Sequence, residues 1–366
     1  MPPHGRSTCN AQLDCNVNEI MTPERRVPHS FSRVRGKILR RVPRGRPGVW
    51  GGGTARAPRI RAPRPGRSPS RQTPRCAGPS GPLAAPFVAR LNGVLASRFP
   101  GLTPGAVDPH FARAEGKRGA AVESRLLVAR EGTEASAPLR RVRITEFGVP
   151  KAGVRAFTAA CFPGWGSDAP IFGVEVLTLP GGGDSKGSGG GRGGSGLRRR
   201  HAALQVRHLV VFDVQPLRQD PAYLAAHTGA AQRIRGSPAY AGLWTPFESK
   251  FYDANRFFSP AVFLARASQG DEDVVTGALY NAFSEYLDVY AERLTGGSSG
   301  IGAARCDNEE VMRLHAEYDE YNLERDPAAG LFRAYMGAEW TEAYLRDFLF
   351  PLANPRSGGH GLRHEG

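Results

Sequence analysis

Leu139-Arg140-Arg141-Val142-Arg143-Ile144-Thr145-Glu146-Phe147, the turn Pro150-Lys151-Ala152-Gly153, and Val154 to Phe162 are the stretch on which the fold turns. Val142, Ile144 and Glu146 recur at every second position, the period of a strand, and the Pro/Gly turn leads into a second strand-like run. Comparable runs flank this pair: Glu123 to Ala129 before it, Pro170 to Leu179 and Gln205 to Asp213 after it. Turn residues at short spacing separate consecutive runs, so the expectation is an antiparallel meander rather than βαβ units.

Helical periodicity lies on either side of this block. Phe87, Leu91, Leu95 and Phe99 open the fold with amphipathic spacing. After Pro216 the pattern is mainly helical, interrupted by a strand candidate at Pro260 to Arg266. Val274, Val275, Ala278, Leu279, Phe283, Tyr286, Leu287 and Tyr290 recur at three- and four-residue steps, and two further helices are expected at Glu309 to Glu324 and Pro327 to Phe350, with a break at Gly337. Helices at both ends around an antiparallel sheet describe an α+β fold, a three-layer α/β/α sandwich.

The net charge of +15 is unevenly placed. Residues 1 to 85 hold 17 Lys/Arg against 3 Asp/Glu, and the remainder holds 32 against 31. A basic, acid-poor, Pro/Gly/Arg-rich segment before a nearly neutral body reads as an organelle transit segment, with an over-extended reading frame as the alternative, and not as a groove for phosphates. The folded domain is expected at 86 to 352, with a Gly-rich hairpin insertion at 181 to 200, a Gly/Ser linker at 295 to 305 and a flexible tail at 353 to 366. Three of the five cysteines (Cys9, Cys15, Cys76) precede the body, leaving Cys161 and Cys306 far apart, so neither a disulfide framework nor a zinc spacing follows. No apolar run approaches the roughly 20 residues of a membrane helix.

Thr295-Gly296-Gly297-Ser298-Ser299-Gly300-Ile301-Gly302 matches the nucleotide loop of short-chain dehydrogenases by its letters. That loop needs a strand immediately before it and a helix immediately after, so that a pyrophosphate meets a helix N-terminus. The preceding residues are helical by periodicity, and a surface linker is expected instead.

Ionisable residues in apolar company are the remaining signal. Glu175 shares a strand face with Ile171 and Leu177, so burial would raise its pKa and make it a proton donor near neutrality; a solvated face or pairing with Arg155 explains it equally. Glu146 shares a face with Val142 and Ile144, where edge exposure is the rival reading. Asp326 before Pro327 is a strong helix cap, which alone would justify it. Asp213 is read as a strand-exit or turn residue. Arg256 and Arg266, flanking Phe257 to Leu264, could hold ligand carboxylates, or stand in solvent.

Several stretches together resemble the ferredoxin-dependent bilin reductases. They are Cys161-Phe162-Pro163 with Pro170 to Val176, Val210 to Leu217, Phe258 to Arg266, Tyr321-Asn322-Leu323-Glu324-Arg325-Asp326-Pro327-Ala328, Gly337 to Trp340 and Phe348 to Pro351. Their order and spacing over residues 86 to 352 carry the likeness. It implies a six-stranded antiparallel sheet flanked by helices, with a linear tetrapyrrole held between the sheet and the C-terminal helices. It also implies reduced ferredoxin as the electron donor and no tightly bound cofactor or metal, since the bilin itself carries the redox chemistry.

The resemblance puts the sheet-side acid at Glu175, the helix-side acid at Asp326 and a further acid at Glu146; with a bilin as the ligand, Arg256 and Arg266 become candidates for holding its propionates. Glu175 stands where Asp is usual. Thr158 replaces the histidine of the phycocyanobilin-forming members, which argues against that subtype. Ser249 to Asn255 and the Tyr321 to Ala328 wording point to members that convert 15,16-dihydrobiliverdin to phycoerythrobilin, in the plastid stroma and in company with a partner reductase. The alternatives are a reductase of biliverdin itself, a non-catalytic bilin carrier, and an RNA-associated protein using the Gly-rich loop; neither nucleic acid nor membrane is expected as a partner.

Overall fold

The computed structural model describes residues 78–180, 207–246, 251–253, 255–296 and 307–353. The expected insertion at 181 to 200 lies outside the described residues, as do residues 1–77 of the basic segment, 297–305 of the linker and 354–366 of the tail.

Eight strands form one sheet: β1 (Leu102–Pro104), β2 (Arg113–Glu115), β3 (Ala121–Ala129), β4 (Leu139–Val149), β5 (Val154–Pro163), β6 (Ile171–Leu179), β7 (Arg207–Gln215) and β8 (Phe263–Ser268). The order is β1-β3-β4-β5-β6-β7-β8, antiparallel throughout, with β2 also on β3. The six long strands are the expected meander. β1 and β2 add to the expected six; at three residues each they are too short for a period to show, and both sit on β3 as edge pieces. The β4–β5 turn works because Gly153 takes φ +67°, a left-handed conformation that glycine adopts without strain.

Helices α1 (Ala85–Arg98), α2 (Pro221–Arg235) and α3 (Tyr280–Thr295) cover one face. There Phe212 stacks on Phe263 at 4.7 Å and meets Tyr286 edge-on at 4.8 Å, while Phe87 reaches Phe283 from α1 at 5.1 Å. Of the predicted α3 stripe, Val275, Leu279, Phe283, Tyr286, Leu287 and Tyr290 are buried and Ala278 is half-buried, but Val274 is exposed. A π-helical turn at Val275–Leu279 inserts an extra residue and rotates everything before it off the stripe.

Helices α4 (Asn308–Arg325), α5 (Ala328–Met336) and α6 (Ala338–Ala343) cover the opposite face. Gly337, at φ +102°, ends α5 where a break was expected. The result is the three-layer α/β/α sandwich. Thr295 ends a helix rather than following a strand, which removes the dehydrogenase-loop reading. Among the described residues no helix is long and apolar enough to cross a membrane.

The body begins earlier than residue 86. Ser80 and Ala84 are buried, and Ser80 Oγ donates to Glu146 Oε2 at 2.6 Å. Gly148 permits this approach, because the Pro79 carbonyl occupies the space a Cβ would fill. Glu146 itself points to the α1 side of β4, with Val142 and Ile144, and also pairs with Arg125 at 3.5 Å. Losing a buried bond to a carboxylate costs about 1–3 kcal/mol, so Ser80→Ala should lower the urea midpoint accordingly; an unchanged midpoint would show that residues 78 to 84 are not integral to the fold.

Candidate active site

Between the sheet and the C-terminal helices lies an open cleft enclosing about 1320 Å³, its mouth included. Its floor follows from strand register. Thr145 of β4 stands opposite Thr158 of β5, Thr158 opposite Glu175 of β6, and Glu175 opposite Val211 of β7, so these side chains form one row on one face. The neighbouring row runs Arg143, Ala160, Gly173 and Asp213. The roof comes from α4 and the start of α5: Tyr318, Asn322, Asp326, Leu331 and Phe332.

Glu175 and Asp326 therefore reach the cleft from opposite sides, one from the sheet and one from the junction of α4 and α5. Burial pushes the Glu175 carboxyl up from 4.5 to about 7; the charge of Asp326 adds to the rise and the Arg143 guanidinium opposes it. Burial also raises the Asp326 carboxyl, against the Ala328 N–H bond and Arg143. That bond, Ala328 N to Asp326 Oδ1 at 2.8 Å, is the expected cap. Both acids are half-buried because the surface left to them is that of the cleft. Tyr252 also lines the cleft, and burial followed by the charges of Asp326 and Glu175 keeps its phenol protonated.

Arginines of β4 fasten the far end. Arg141 donates to the Phe348 carbonyl and Arg143 to the Leu349 carbonyl, each at 2.5 Å, and the Arg143 guanidinium lies 4.8 Å from the Phe350 ring centre. Asp319 of α4 accepts from Leu352 N at 3.1 Å. Tyr344 ties roof to floor through Ser124 at 2.8 Å and Thr145 at 2.7 Å.

Three expected site residues lie elsewhere. Glu146 occupies the other face of β4, one residue out of phase with Thr145, so alternation keeps it from the cleft. Arg256 is exposed, 4.8 Å from the Tyr321 ring, and Arg266 is exposed on β8 with its guanidinium on Thr245 Oγ1 at 2.9 Å; neither lines the cleft. Arg143 is the arginine whose charge reaches both acids. Asp213 is not a turn residue but lies inside β7, 1% exposed, on the cleft face. Thr145, Tyr252, Tyr318 and Asn322 were likewise not among the expected site residues, whereas Thr158, read as standing in place of a family histidine, lines the cleft. Among the described residues no cluster of His, Cys, Asp and Glu could hold a metal ion.

The chain is similar to known proteins in sequence and in fold. The family model "Ferredoxin-dependent bilin reductase" matches residues 202–351. The 15,16-dihydrobiliverdin:ferredoxin oxidoreductase of Gloeobacter violaceus is 32% identical over 222 residues, 60% of this chain and 78% of that protein. Phycoerythrobilin:ferredoxin oxidoreductase of the same organism is 30% identical over 284 residues, 76% of this chain and 99% of that protein. In fold the chain is similar to phytochromobilin synthase from tomato, solved in complex with biliverdin, with TM-score 0.55 and 17% identity over 74% of this chain and 84% of that one. On the identity and coverage of the two Gloeobacter relatives, the chain belongs to the ferredoxin-dependent bilin reductases, oxidoreductases that take their electrons from reduced ferredoxin.

Proposed function

We propose that this chain reduces 15,16-dihydrobiliverdin to phycoerythrobilin, with Asp326 and Glu175 supplying protons from opposite faces of the bilin. The observation that carries this reading is the pair of carboxyls with raised pKa facing one cleft across the sheet–helix gap. The relative named for phycoerythrobilin, matched over 99% of its length, supports the specific reaction. Adding two hydrogens to one double bond takes two single electrons from ferredoxin and two protons, and the side chains need only hold, orient and protonate. A bilin filling the cleft would remove the water left to both acids and raise them further, favouring the proton-bearing form that donates.

A second reading has its own support. The 32%-identical relative is named for 15,16-dihydrobiliverdin, which would be the product if biliverdin were the substrate. The full chain, supplied anaerobically with reduced ferredoxin, should convert 15,16-dihydrobiliverdin to phycoerythrobilin and leave biliverdin unchanged, as followed by absorption spectra and product chromatography. Turnover of biliverdin alone would replace the first reading by the second; binding without reduction of either would leave a carrier.

The basic residues 1 to 85 support a plastid transit segment and a stromal site of action, where ferredoxin is reduced. Because Ser80 bonds to Glu146 within the body, the processed protein should begin at or before residue 78, which N-terminal sequencing would test. A mature protein that retains residue 1 would rule the transit segment out.

Asp326→Asn should keep bilin binding and lose about 10²–10⁴ in turnover, the usual share of a general acid, whereas Glu146→Gln should retain turnover; equal losses in both would return Glu146 to the chemistry. Glu175 donates only while protonated, so kcat/KM should fall as pH rises through about 7, and turnover of the bound bilin should fall at a higher pH. Glu175→Gln should be slower and lack that alkaline limb. Persistence of the limb in the variant would assign it to another group.

A further inference from the structure

β7 lines the cleft with two polar side chains, Asp213 and Gln215, and each grips a different wall. Gln215 Oε1 accepts from the Tyr318 hydroxyl of α4 at 2.6 Å. Asp213 accepts at one oxygen from Ser259 N at 2.8 Å and at the other from Ser259 Oγ. Ser259 follows Phe257 and Phe258, the aromatic wall of the cleft. Phe257 stacks on Tyr252 at 4.6 Å and on Tyr318 at 5.5 Å.

Beyond Ser259 the chain runs into the sheet as β8, with Val262 beside Phe257 and Tyr321 and Ala261 packed in the layer under α3, and it is held from that layer. Ala261 N donates to Ser259 Oγ at 2.9 Å, Tyr286 donates to the Ala261 carbonyl at 2.8 Å, and Arg235 donates to the Val262 carbonyl at 3.1 Å. Ser259 is thus the front fastening of a segment whose rear is already fixed. With both oxygens engaged by Ser259, the Asp213 carboxylate has a partner for each and is not free to serve substrate. A fully buried charge is tolerated only with such partners, and charge-assisted bonds are about twice as strong as neutral ones.

We propose that Asp213 is a positioning residue: by clasping Ser259 it sets the Phe257–Phe258 wall against which the bilin lies, and so determines bilin affinity rather than proton transfer. The proposal rests on the bilin-reductase reading of the cleft. It has a pH signature. Burial pushes the Asp213 carboxyl up to about 7, against the Ser259 bonds, the Val214 N–H and the charge of Arg235. Tyr286 of α3 and Tyr318 of α4 are the other titratable groups that sense it, and burial raises both phenols and keeps them neutral. The clasp is strongest while Asp213 is ionised, so affinity weakens as pH falls through about 7, opposite to the dependence set by Glu175.

The test titrates 15,16-dihydrobiliverdin by absorbance into the full-length wild type, Asp213→Asn and Ser259→Ala, from about pH 6 to about pH 8.5. It adds single-turnover rates with reduced ferredoxin and amide exchange over residues 255–262. Each variant should bind about tenfold more weakly, exchange faster in that segment and reduce its bound bilin at the wild-type rate; Asp213→Asn should also lack the low-pH loss of affinity, which Ser259→Ala, keeping the Ser259 N bond to Asp213, should show in reduced form. Should Asp213→Asn fail to fold, Ser259→Ala, which removes only a hydroxyl, decides alone. Wild-type affinity in a folded variant overturns the proposal, as does a lost single-turnover rate with affinity intact. A wild type that binds no bilin would remove the reading of the cleft and this proposal with it, whereas a failure confined to the variants leaves that reading standing.

Discussion

Side chains alternate across a strand, and in this sheet that alternation separates two chemistries. On β4 the even positions Val142 and Ile144 enter the dry layer beneath α1 and α3, while Arg143, Thr145 and Phe147 face the cleft. Beyond the register shift between Leu139 and Arg141 at the start of β4, five further strands keep the same phase in antiparallel register, so a one-residue slip along the cleft would carry its polar row into the apolar core. The register is held by the core itself. Phe172, Phe212 and Phe263, on three successive strands, all lie fully buried under α3.

Given that separation, the cleft can concentrate charge that a packed core would exclude. Glu175, Asp326 and Asp213 all have carboxyls raised by burial, and the Arg143 guanidinium lowers the first two. These carboxyls differ in their surroundings. Glu175 and Asp326 face open space, as suits groups that exchange protons, whereas Asp213 has both oxygens on Ser259 and acts as a fixture. Similar burial therefore serves two purposes, and the hydrogen-bond partners tell them apart.

Much of the fold was legible in the sequence because the six long strands and α3 to α5 carry their periods over many residues. Glu175 was legible for the same reason: a lone carboxylate in an apolar run marks itself, and Ile171 and Leu177 named its face. What could not be read was pairing register. Only the run from Glu175 through Thr158 to Thr145 shows that Glu146 is out of phase with the cleft. Arg143 was hidden among Arg140 and Arg141, three arginines in a stretch where exposure is the ordinary expectation. Asp213 was hidden by its place two residues before Gln215 ends β7. Arg256 and Arg266 flank the right segment, but flanking says nothing of where a long side chain goes, and both turn outward.

The fastening of the Phe348–Leu349 carbonyls by Arg141 and Arg143 spans just over two hundred residues of chain. Such a contact forms late in synthesis, since its two halves leave the ribosome far apart in time. The sheet floor, with Glu175 in place, can assemble while the roof is still being made. A nascent chain thus holds an acid-lined, one-sided surface before it holds a cleft, and only the finished polypeptide can shut a reactive tetrapyrrole away from water.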